Sequence, residues 1–316
     1  MKLSKRLISI TGMRDIIQRR IPIISLDSTT PGPVVWITAC IHGDEVGGTV
    51  IVHDVFAALR TAGLDRGTVH AFPLVNSMGF ENVSRFINTD REDLNRCFPG
   101  DTHGSMGEQI ARRLFDTILK SKPNLVIDIH NDWVRSIPYV LVEPPDDYFS
   151  QDLYGRVLRM ARSSGLLLVE DSVVSGPPHD TLTGALVHAG VPAFTIEAGG
   201  AFAIVEDSVR AGKDAVLAVL QHLNMTKAAE LSTTFANDTA PLKYTNLPLC
   251  TSSGLIRFEV SPGEKIKAKQ TLARVCSAFG SCEETLRAAA AGYVLGLEDH
   301  ARVLPGREVI AIAEFT

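Results

Sequence analysis

The feature that most constrains this chain is an alternation running through its first two-thirds. Short apolar runs at Val34–Ala39, Thr68–Val75, Leu125–Ile129, Tyr139–Val142, Leu166–Val169 and Ala193–Ile196 read as strands. Between them, Glu45–Arg60, Gln151–Arg162 and Asp207–Leu223 carry apolar residues at helical spacing. Ser105-Met106-Gly107-Glu108 adds a capping-box pattern that opens an amphipathic helix to Leu119. A chain that alternates in this way buries its strands under helices on both faces of a largely parallel or mixed sheet. The expected fold class is α/β, three layers α/β/α around a mixed central sheet.

The character changes after about residue 225. Residues 226–246 are polar and without a period, so they read as a linker. From Leu247 onward short strands and turns take over, at Gly254–Val260, Thr271–Val275, Gly292–Leu295 and Val309–Ala313. The expected organisation is an α/β domain over residues 1–225, with 1–30 as an N-terminal extension, a linker at 226–246, and a small all-β domain over 247–316. With 316 residues there is room for one large domain and a small one.

Charge and cysteine usage exclude several classes. The net charge of −5 comes from mixed signs with no basic stripe, so nucleic acid is not an expected partner. The five cysteines are scattered and form no Cys-x-x-Cys pair, which points to free thiols in a reducing compartment. Arg14, Asp15, Arg19 and Arg20 interrupt the N-terminal region, so neither a signal peptide nor a membrane span is expected there. The expected location is cytoplasmic.

Chemistry-bearing residues sit where the apolar runs stop, the place where α/β proteins bind ligands. His42 and Glu45 follow the run that ends at Cys40, and an imidazole and a carboxylate at this spacing can share one zinc ion. His130 ends the run Leu125-Val126-Ile127-Asp128-Ile129 and is the third ligand candidate. A lone strand-end histidine is ordinarily a hydrogen-bonded structural residue. Two of them with Glu45 outweigh that reading, and three protein ligands leave a position open for water. Glu197 ends another run, before Gly199-Gly200, and is a candidate general base; the alternative is a helix cap or a solvated loop acid. In Asp93-Leu94-Asn95-Arg96-Cys97-Phe98-Pro99-Gly100, the Arg96 fork and the Asn95 amide suit a substrate carboxylate. Asp93 can accept from the distal nitrogen of a ligating histidine. A charged surface loop is the alternative for this stretch. Cys40 reads as a small buried hydrophobe, Arg135 as a surface residue, and His179 as the one remaining histidine that can line a pocket mouth.

The ordered set His42-x-x-Glu45, Arg85, Asp93-Leu94-Asn95-Arg96-x-Phe98-Pro99-Gly100, Asp128-Ile129-His130 and Thr195-Ile196-Glu197 resembles the succinylglutamate desuccinylase/aspartoacylase family, a branch of the zinc carboxypeptidase-like fold. The resemblance covers roughly residues 30–223. It implies one zinc ion per chain on His42, Glu45 and His130, and Glu197 as general base and acid. It implies Asn95 and Arg96 as binders of a substrate carboxylate, Asp93 behind a ligating histidine, and Arg85 as the oxyanion-stabilising arginine, with Arg91 as its rival. Asp128 is a further candidate to orient a ligand. The tail, through Val260–Ile266 and Gly292–Gly296, resembles a lipoyl-type barrel-sandwich, but no lysine on a hairpin between the halves suits a carrier arm. A lid or an oligomer contact at the zinc pocket is the expected role.

The function these residues imply is a zinc-dependent amidohydrolase that deacylates a small N-acyl amino acid or a related carboxylate-bearing amide. The expected partner is that small molecule, with a homo-oligomer left open and no membrane involved. The alternatives are a zinc metallocarboxypeptidase acting on peptides and a non-catalytic metal- or ligand-binding protein.

Overall fold

The computed structural model describes residues 1–10, 19–87, 91–146, 149–171, 179–227 and 240–315. Most of the expected linker, at 228–239, and Gly176-Pro177-Pro178 before His179 lie outside the described residues.

The chain opens with two strands, β1 (Lys2–Ser9) and β2 (Arg20–Asp27), paired antiparallel. The α/β succession follows: β3 (Val34–Ala39), α1 (Gly47–Ala62), β4 (Thr68–Phe72), α2 (Ser77–Asn82), α3 (Met106–Lys120), β5 (Leu125–Asp132), β6 (Arg135–Ser136), β7 (Tyr139–Val142), α4 (Gln151–Arg162), β8 (Leu167–Glu170), α5 (Leu182–His188), β9 (Ala193–Gly200) and α6 (Glu206–His222). The C-terminal part holds β10 (Leu242–Thr245), β11 (Gly254–Phe258), β12 (Lys265–Ile266), β13 (Thr271–Cys276), β14 (Cys282–Arg287), β15 (Gly292–Leu297), β16 (Arg302–Val303) and β17 (Ile310–Glu314).

In the main sheet the order is β1-β2-β4-β3-β5-β9-β7-β8, continued by β10-β17-β15-β12, with β6 pairing β15. Strands β4, β3, β5 and β9 are mutually parallel, whereas β2 runs against β1 and β4, and β7 runs against β9 but parallel to β8, so the sheet is mixed. Helix α1 packs with α6, and α3 with α5, as the covering layers. The central strands are buried along their length, as Val35, Trp36, Ile37, Val126, Ile127, Phe194 and Ile196 show. That double burial explains why they read as unbroken apolar runs rather than alternating ones. A separate four-stranded antiparallel sheet, β14-β13-β11-β16, gives the C-terminal β domain its own core around Ile256, Leu272, Val275 and Val294.

Local signals act where expected. Ser105 and Glu108 close a reciprocal capping box at the start of α3. Gly63, at φ 99°, ends α1. Strand β4 stops at Phe72, short of the expected Val75, because Pro73 has no N–H for the ladder. Strands β1 and β2 in the N-terminal extension, β10 at the end of the expected linker, and the polar edge strand β14 are additions to the reading from sequence. Each is short of apolar contrast, and tertiary pairing decides it.

The chain goes from β3 to β4 on one side and then places β5 on the other side of β3. This reversal is a topological switch point, where the C-terminal ends of the strands leave a crevice. The C-terminal domain is welded beside it. Strand β10 pairs parallel with β8, and an apolar seam joins Tyr139, Leu167 and Val169 to Leu242, Leu295, Ala311 and Ala313. Among the described residues, no helix is long and apolar enough to cross a membrane.

Gly43, in the loop after β3, is pressed on α2: a Cβ there would lie 2.1 Å from the Gly79 carbonyl carbon and 2.2 Å from the Phe80 nitrogen. Backbone cannot yield as a flexible side chain does. Gly43→Ala is therefore expected to lower the melting temperature by about 5 °C or more. Calorimetry checks this, and an unchanged melting temperature would mean that the loop is free to shift.

Candidate metal centre and catalytic cavity

Parallel pairing sets the geometry of the site. Ala39 on β3 lies opposite Ile129 on β5, and His130 opposite Glu197 on β9. Neighbouring strands are about 4.8 Å apart, so three strand ends deliver side chains at one level. Cys40 takes a left-handed φ of 58°, which turns the chain off β3. The Glu45 amide then donates to the His42 carbonyl at 3.1 Å, which brings both side chains to one side of the loop.

His42, Glu45 and His130 are buried and converge. Glu45 Oε1 lies 2.6 Å from His42 Nδ1, and Glu45 Oε2 lies 2.9 Å from His130 Nδ1. The two Nδ1 atoms are 3.2 Å apart. One ligand atom from each residue can be chosen so that all lie within 4.8 Å of one another. The nitrogen–nitrogen gap is close to the roughly 3.3 Å edge of a tetrahedron with metal–nitrogen bonds of about 2.0–2.1 Å. The donor set of two imidazoles and one carboxylate therefore fits a divalent ion such as zinc.

The distal ring nitrogens are held by carboxylates. His42 Nε2 is 3.1 Å from Asp93 Oδ1, and His130 Nε2 is 2.8 Å from Asp128 Oδ2. Asp128 is itself fixed by the Thr38 hydroxyl at 2.5 Å. Such partners fix ring orientation and leave the inner nitrogens free to ligate. The electrostatics agree. Burial pushes the Glu45 carboxyl up, but His42 and His130 outweigh it and hold it well below the usual carboxylate range. Burial pushes the His130 imidazole down, but Asp128 and Glu45 outweigh it and raise it well above its ordinary value.

Glu197 faces the same cavity. Its Oε2 is buried and, among the described residues, accepts no hydrogen bond. Burial pushes its carboxyl well above the ordinary value; His130 opposes that rise, and Asp132, Glu45 and Asp128 add to it. A buried carboxylate without a donor is costly unless something else occupies its lone pairs. The orphaned oxygen suits a group whose partner arrives with the ligand.

The structure brings most of the remaining candidates to this cavity and leaves others outside. Arg85 Nε donates to Asp93 Oδ2 at 3.0 Å, and its Nη1 is 3.5 Å from Glu45 Oε1. Arg91 instead lies over the Phe86 ring at 5.9 Å and does not line the cavity. Asn95 and Arg96 line it from a single 3-10 turn, Leu94–Arg96, capped by Asp93. Asn95 Oδ1 accepts from the Leu182 amide at 2.9 Å, and the Arg96 guanidinium is 4.0 Å from Asp180. Cys40 is buried, and burial, with Glu45 and Asp44, pushes its thiol up to about 12, as suits a packing residue. Arg135 is half exposed, over the Phe258 ring at 5.1 Å, and its Nη2 donates to the Glu298 carbonyl. It is a surface residue, as expected, and also contacts the C-terminal part. His179 pairs with Asp146 at 2.9 Å and is not part of the cavity wall.

Several wall residues were not singled out in the sequence. The Asn131 amide donates to Glu45 Oε2 at 3.0 Å, its side-chain amide donates to the Ala198 carbonyl, and its Oδ1 accepts from Gly48 at 3.3 Å. It thus ties Glu45, the start of α1 and the strand of Glu197 together; its place beside His130 was the available signal. Asp132 and Tyr139 follow on the same side, with the Tyr139 hydroxyl donating to Asp132 at 3.2 Å. Tyr244, Asn246 and Glu308 reach the cavity from the C-terminal part. No local motif marks them, because only the docking of that part brings them near. The cavity has a volume of about 310 Å³.

With this geometry in place, the chain matches the pattern of the succinylglutamate desuccinylase/aspartoacylase catalytic domain over residues 31–223. A curated protein, the N-alpha-acetyl-L-2,4-diaminobutyric acid deacetylase of Halomonas elongata, is 31% identical over 136 residues. That match spans 42% of this chain and 38% of the relative, less than half of its length. Among solved structures, a succinylglutamate desuccinylase/aspartoacylase from Rhodobacter sphaeroides superposes with a TM-score of 0.77 at 24% identity. It covers 94% of this chain and 89% of its own. The product-bound ectoine utilization protein EutE from Ruegeria pomeroyi superposes with a TM-score of 0.81 at 22% identity, over 99% of this chain and 95% of its own. At these identities the likeness to the solved structures is one of fold.

Two outcomes follow from the geometry. Asp128→Ala removes the carboxylate behind His130 and is expected to weaken zinc binding about 10–100-fold, as read by competition with a chromogenic chelator. The pH dependence has a definite sign. Glu45 and Asp128 keep a proton on His130 above the ordinary histidine range, and a metal must displace it. Apparent zinc affinity is thus expected to fall as pH drops from about 9 to about 6. A flat profile would remove His130 from the ligand set.

Proposed function

Since the chain belongs to the succinylglutamate desuccinylase/aspartoacylase family by its match over residues 31–223, we propose that it is a zinc-dependent amidohydrolase acting on small N-acyl amino acids. The observation that carries this reading is the unpartnered Glu197 oxygen beside a buried His42–Glu45–His130 triad. A binding protein has no use for a buried carboxylate without a donor. A hydrolase uses it to move a proton.

In this reading one zinc ion per chain, held by His42, Glu45 and His130, supplies Lewis-acid polarisation and acidifies water at the site. Glu197 takes a proton from the attacking water and returns it to the leaving nitrogen. The lift that burial gives its carboxyl favours that second role. Arg85 reaches the triad while anchored on Asp93, a position suited to charge that develops on the amide oxygen. Asn95 and Arg96 meet the substrate carboxylate, the guanidinium fork matching it in two hydrogen bonds. Asp93 and Asp128 position the two histidines.

The cavity's size supports a small substrate over a peptide. Its walls include Tyr244, Asn246 and Glu308, so the C-terminal part closes a side along which a longer chain would run. The Halomonas relative is named for removing an acetyl group from an amino acid nitrogen, and we carry a short acyl group of that kind to this chain. Five free cysteines favour a reducing, cytoplasmic setting.

The deciding experiment is a mass-spectrometric screen of N-acyl amino acids and short peptides against the zinc-loaded protein, with a chelated sample as control. Turnover of acyl amino acids in the loaded sample alone is expected. Peptides consumed in their place would transfer the reading to a carboxypeptidase. Glu197→Gln is expected to lower kcat by about 10²–10⁴-fold with zinc still bound. Near-normal turnover in that variant would displace Glu197 from its role.

A further inference from the structure

Two of the five cysteines face each other across a hairpin of the C-terminal domain. Strand β13 ends at Cys276, β14 begins at Cys282, and the two residues are partners in the antiparallel pair. The turn between them is closed by the Ser277 amide, which donates to the Ser281 carbonyl at 2.9 Å, and by the Gly280 amide, which donates to the Ser277 carbonyl at 3.0 Å. Hydrogen-bonded and non-hydrogen-bonded pairs alternate along an antiparallel ladder. Ser277 and Ser281 are hydrogen-bonded, so Cys276 and Cys282 form a non-hydrogen-bonded pair. Cα atoms in such a pair lie about 4.5 Å apart, inside the range of roughly 4.4–6.8 Å that a disulfide spans.

This opposition is not the default of the ladder. Arg274 faces Thr285 and Val275 faces Glu284, a register that would set Cys276 opposite Glu283. A bulge shifts the register between Val275 and Cys276 and brings Cys282 there instead. Reagents can also reach the pair. Cys282 is exposed and Cys276 half-buried, whereas Cys40 and Cys250 are buried. Cys97 is half-buried too, but burial and the surrounding acids push its thiol up to about 12. The Cys282 sulfur is held only by weak contacts, 3.4 Å from the Glu284 carbonyl and 3.7 Å from the Thr285 hydroxyl. The Arg274 guanidinium, paired with Glu259 at 2.5 Å, reaches the same sulfur. A cation there meets the negative charge that a sulfur carries when it attacks a disulfide.

We propose that Cys276 and Cys282 form a thiol–disulfide exchange site whose co-reactant is a low-molecular-weight disulfide of the glutathione disulfide class. Cys282, the exposed member, attacks one sulfur of the small disulfide as its thiolate. The sulfur–sulfur bond of the small molecule breaks, one thiol leaves, and a mixed disulfide stands on Cys282. Cys276 then attacks the Cys282 sulfur and releases the second thiol. Two protein thiols are oxidised by two electrons, one small disulfide is reduced to two thiols, and both protons end on those thiols. The hairpin holds Cys276 opposite its target, so the second step is intramolecular and outruns capture by another molecule. The proposal is independent of the amidohydrolase reading, since neither cysteine lines the catalytic cavity.

The test is exposure of the folded full chain to excess glutathione disulfide, followed by alkylation of the remaining thiols and mass spectrometry. Trypsin leaves both cysteines in one peptide, Val275–Arg287, because no lysine or arginine lies between Arg274 and Arg287. That peptide is expected to lose two hydrogens and to escape alkylation, and dithiothreitol is expected to restore both thiols. Cys276→Ser is expected to stop at the first step, with one glutathione carried on Cys282. Cys282→Ser is expected to slow modification of the peptide at least about tenfold, because the half-buried partner is left to attack alone. Arg274→Gln is expected to slow the first step severalfold while the final bond still forms. The site would be overturned if both cysteines stayed open to alkylation, or if glutathione accumulated on both in the unaltered chain. A bond formed between two chains through Cys282 would overturn it as well, as would a Cys276→Ser variant that carried no glutathione.

Discussion

Glu45 is a buried carboxylate that reaches an imidazole with each of its oxygens, His42 on one side and His130 on the other. A buried charge of this kind is tolerable only when its partners are close and well aimed. The two imidazoles need backing in turn, from Asp93 and Asp128. The arrangement thus demands that a loop, a central strand and a distant turn meet to within a fraction of an ångström. Parallel pairing of β3 with β5, at the point where the strand order reverses, meets that demand. Asn131 locks the result by joining Glu45 to the strand that carries Glu197.

The same strand connects the site to the C-terminal domain. Within a few residues β5 passes from His130 to Asp132 and then to the turn at Val134 and Arg135, whose amides donate to the Asp299 carboxylate at 2.9 and 3.2 Å. Gly296 faces Trp133 so closely that an added Cβ would lie 2.9 Å from the indole. The β domain is therefore not an appendage. Its placement determines which side chains close the cavity, and through Tyr244 and Glu308 it adds acceptors that the α/β domain lacks. A cavity built from both parts can change its substrate while the metal centre stays as it is.

Much of the candidate site was legible in the chain because its members sit at the ends of apolar runs. His42, His130 and Glu197 each follow a run that only a buried strand explains, and strand ends are where a parallel sheet presents chemistry. Asp93, Asn95 and Arg96 were legible as a turn with a defined exit through Phe98-Pro99-Gly100. The choice between Arg85 and Arg91 was not, since both are arginines in one loop region; contact with Asp93 and Glu45 places one at the site, and contact with Phe86 draws the other away. Arg135 is exposed as it read, but its contacts with Phe258 and Glu298 were not legible, because nothing near it in sequence encodes them. Strands β1 and β14 went unread because their side chains are mostly polar or exposed.

By itself, the amino-acid sequence determined the α/β alternation, the change to short strands in the C-terminal part, and the set of strand-end side chains that converge on the candidate site. Those are local properties: periodicity, strand-end residues and turn chemistry act within a few positions of the chain. Only the tertiary structure decided that Tyr244, Asn246 and Glu308 share a cavity with His42, and that Asn131 braces Glu45. Pairing β10 with β8 and β15 with β6 brings together residues more than 70 positions apart, as Leu242 opposite Val169 and Gly296 opposite Ser136. No local propensity encodes that meeting, because it is the burial of the seam between the two parts that brings them together.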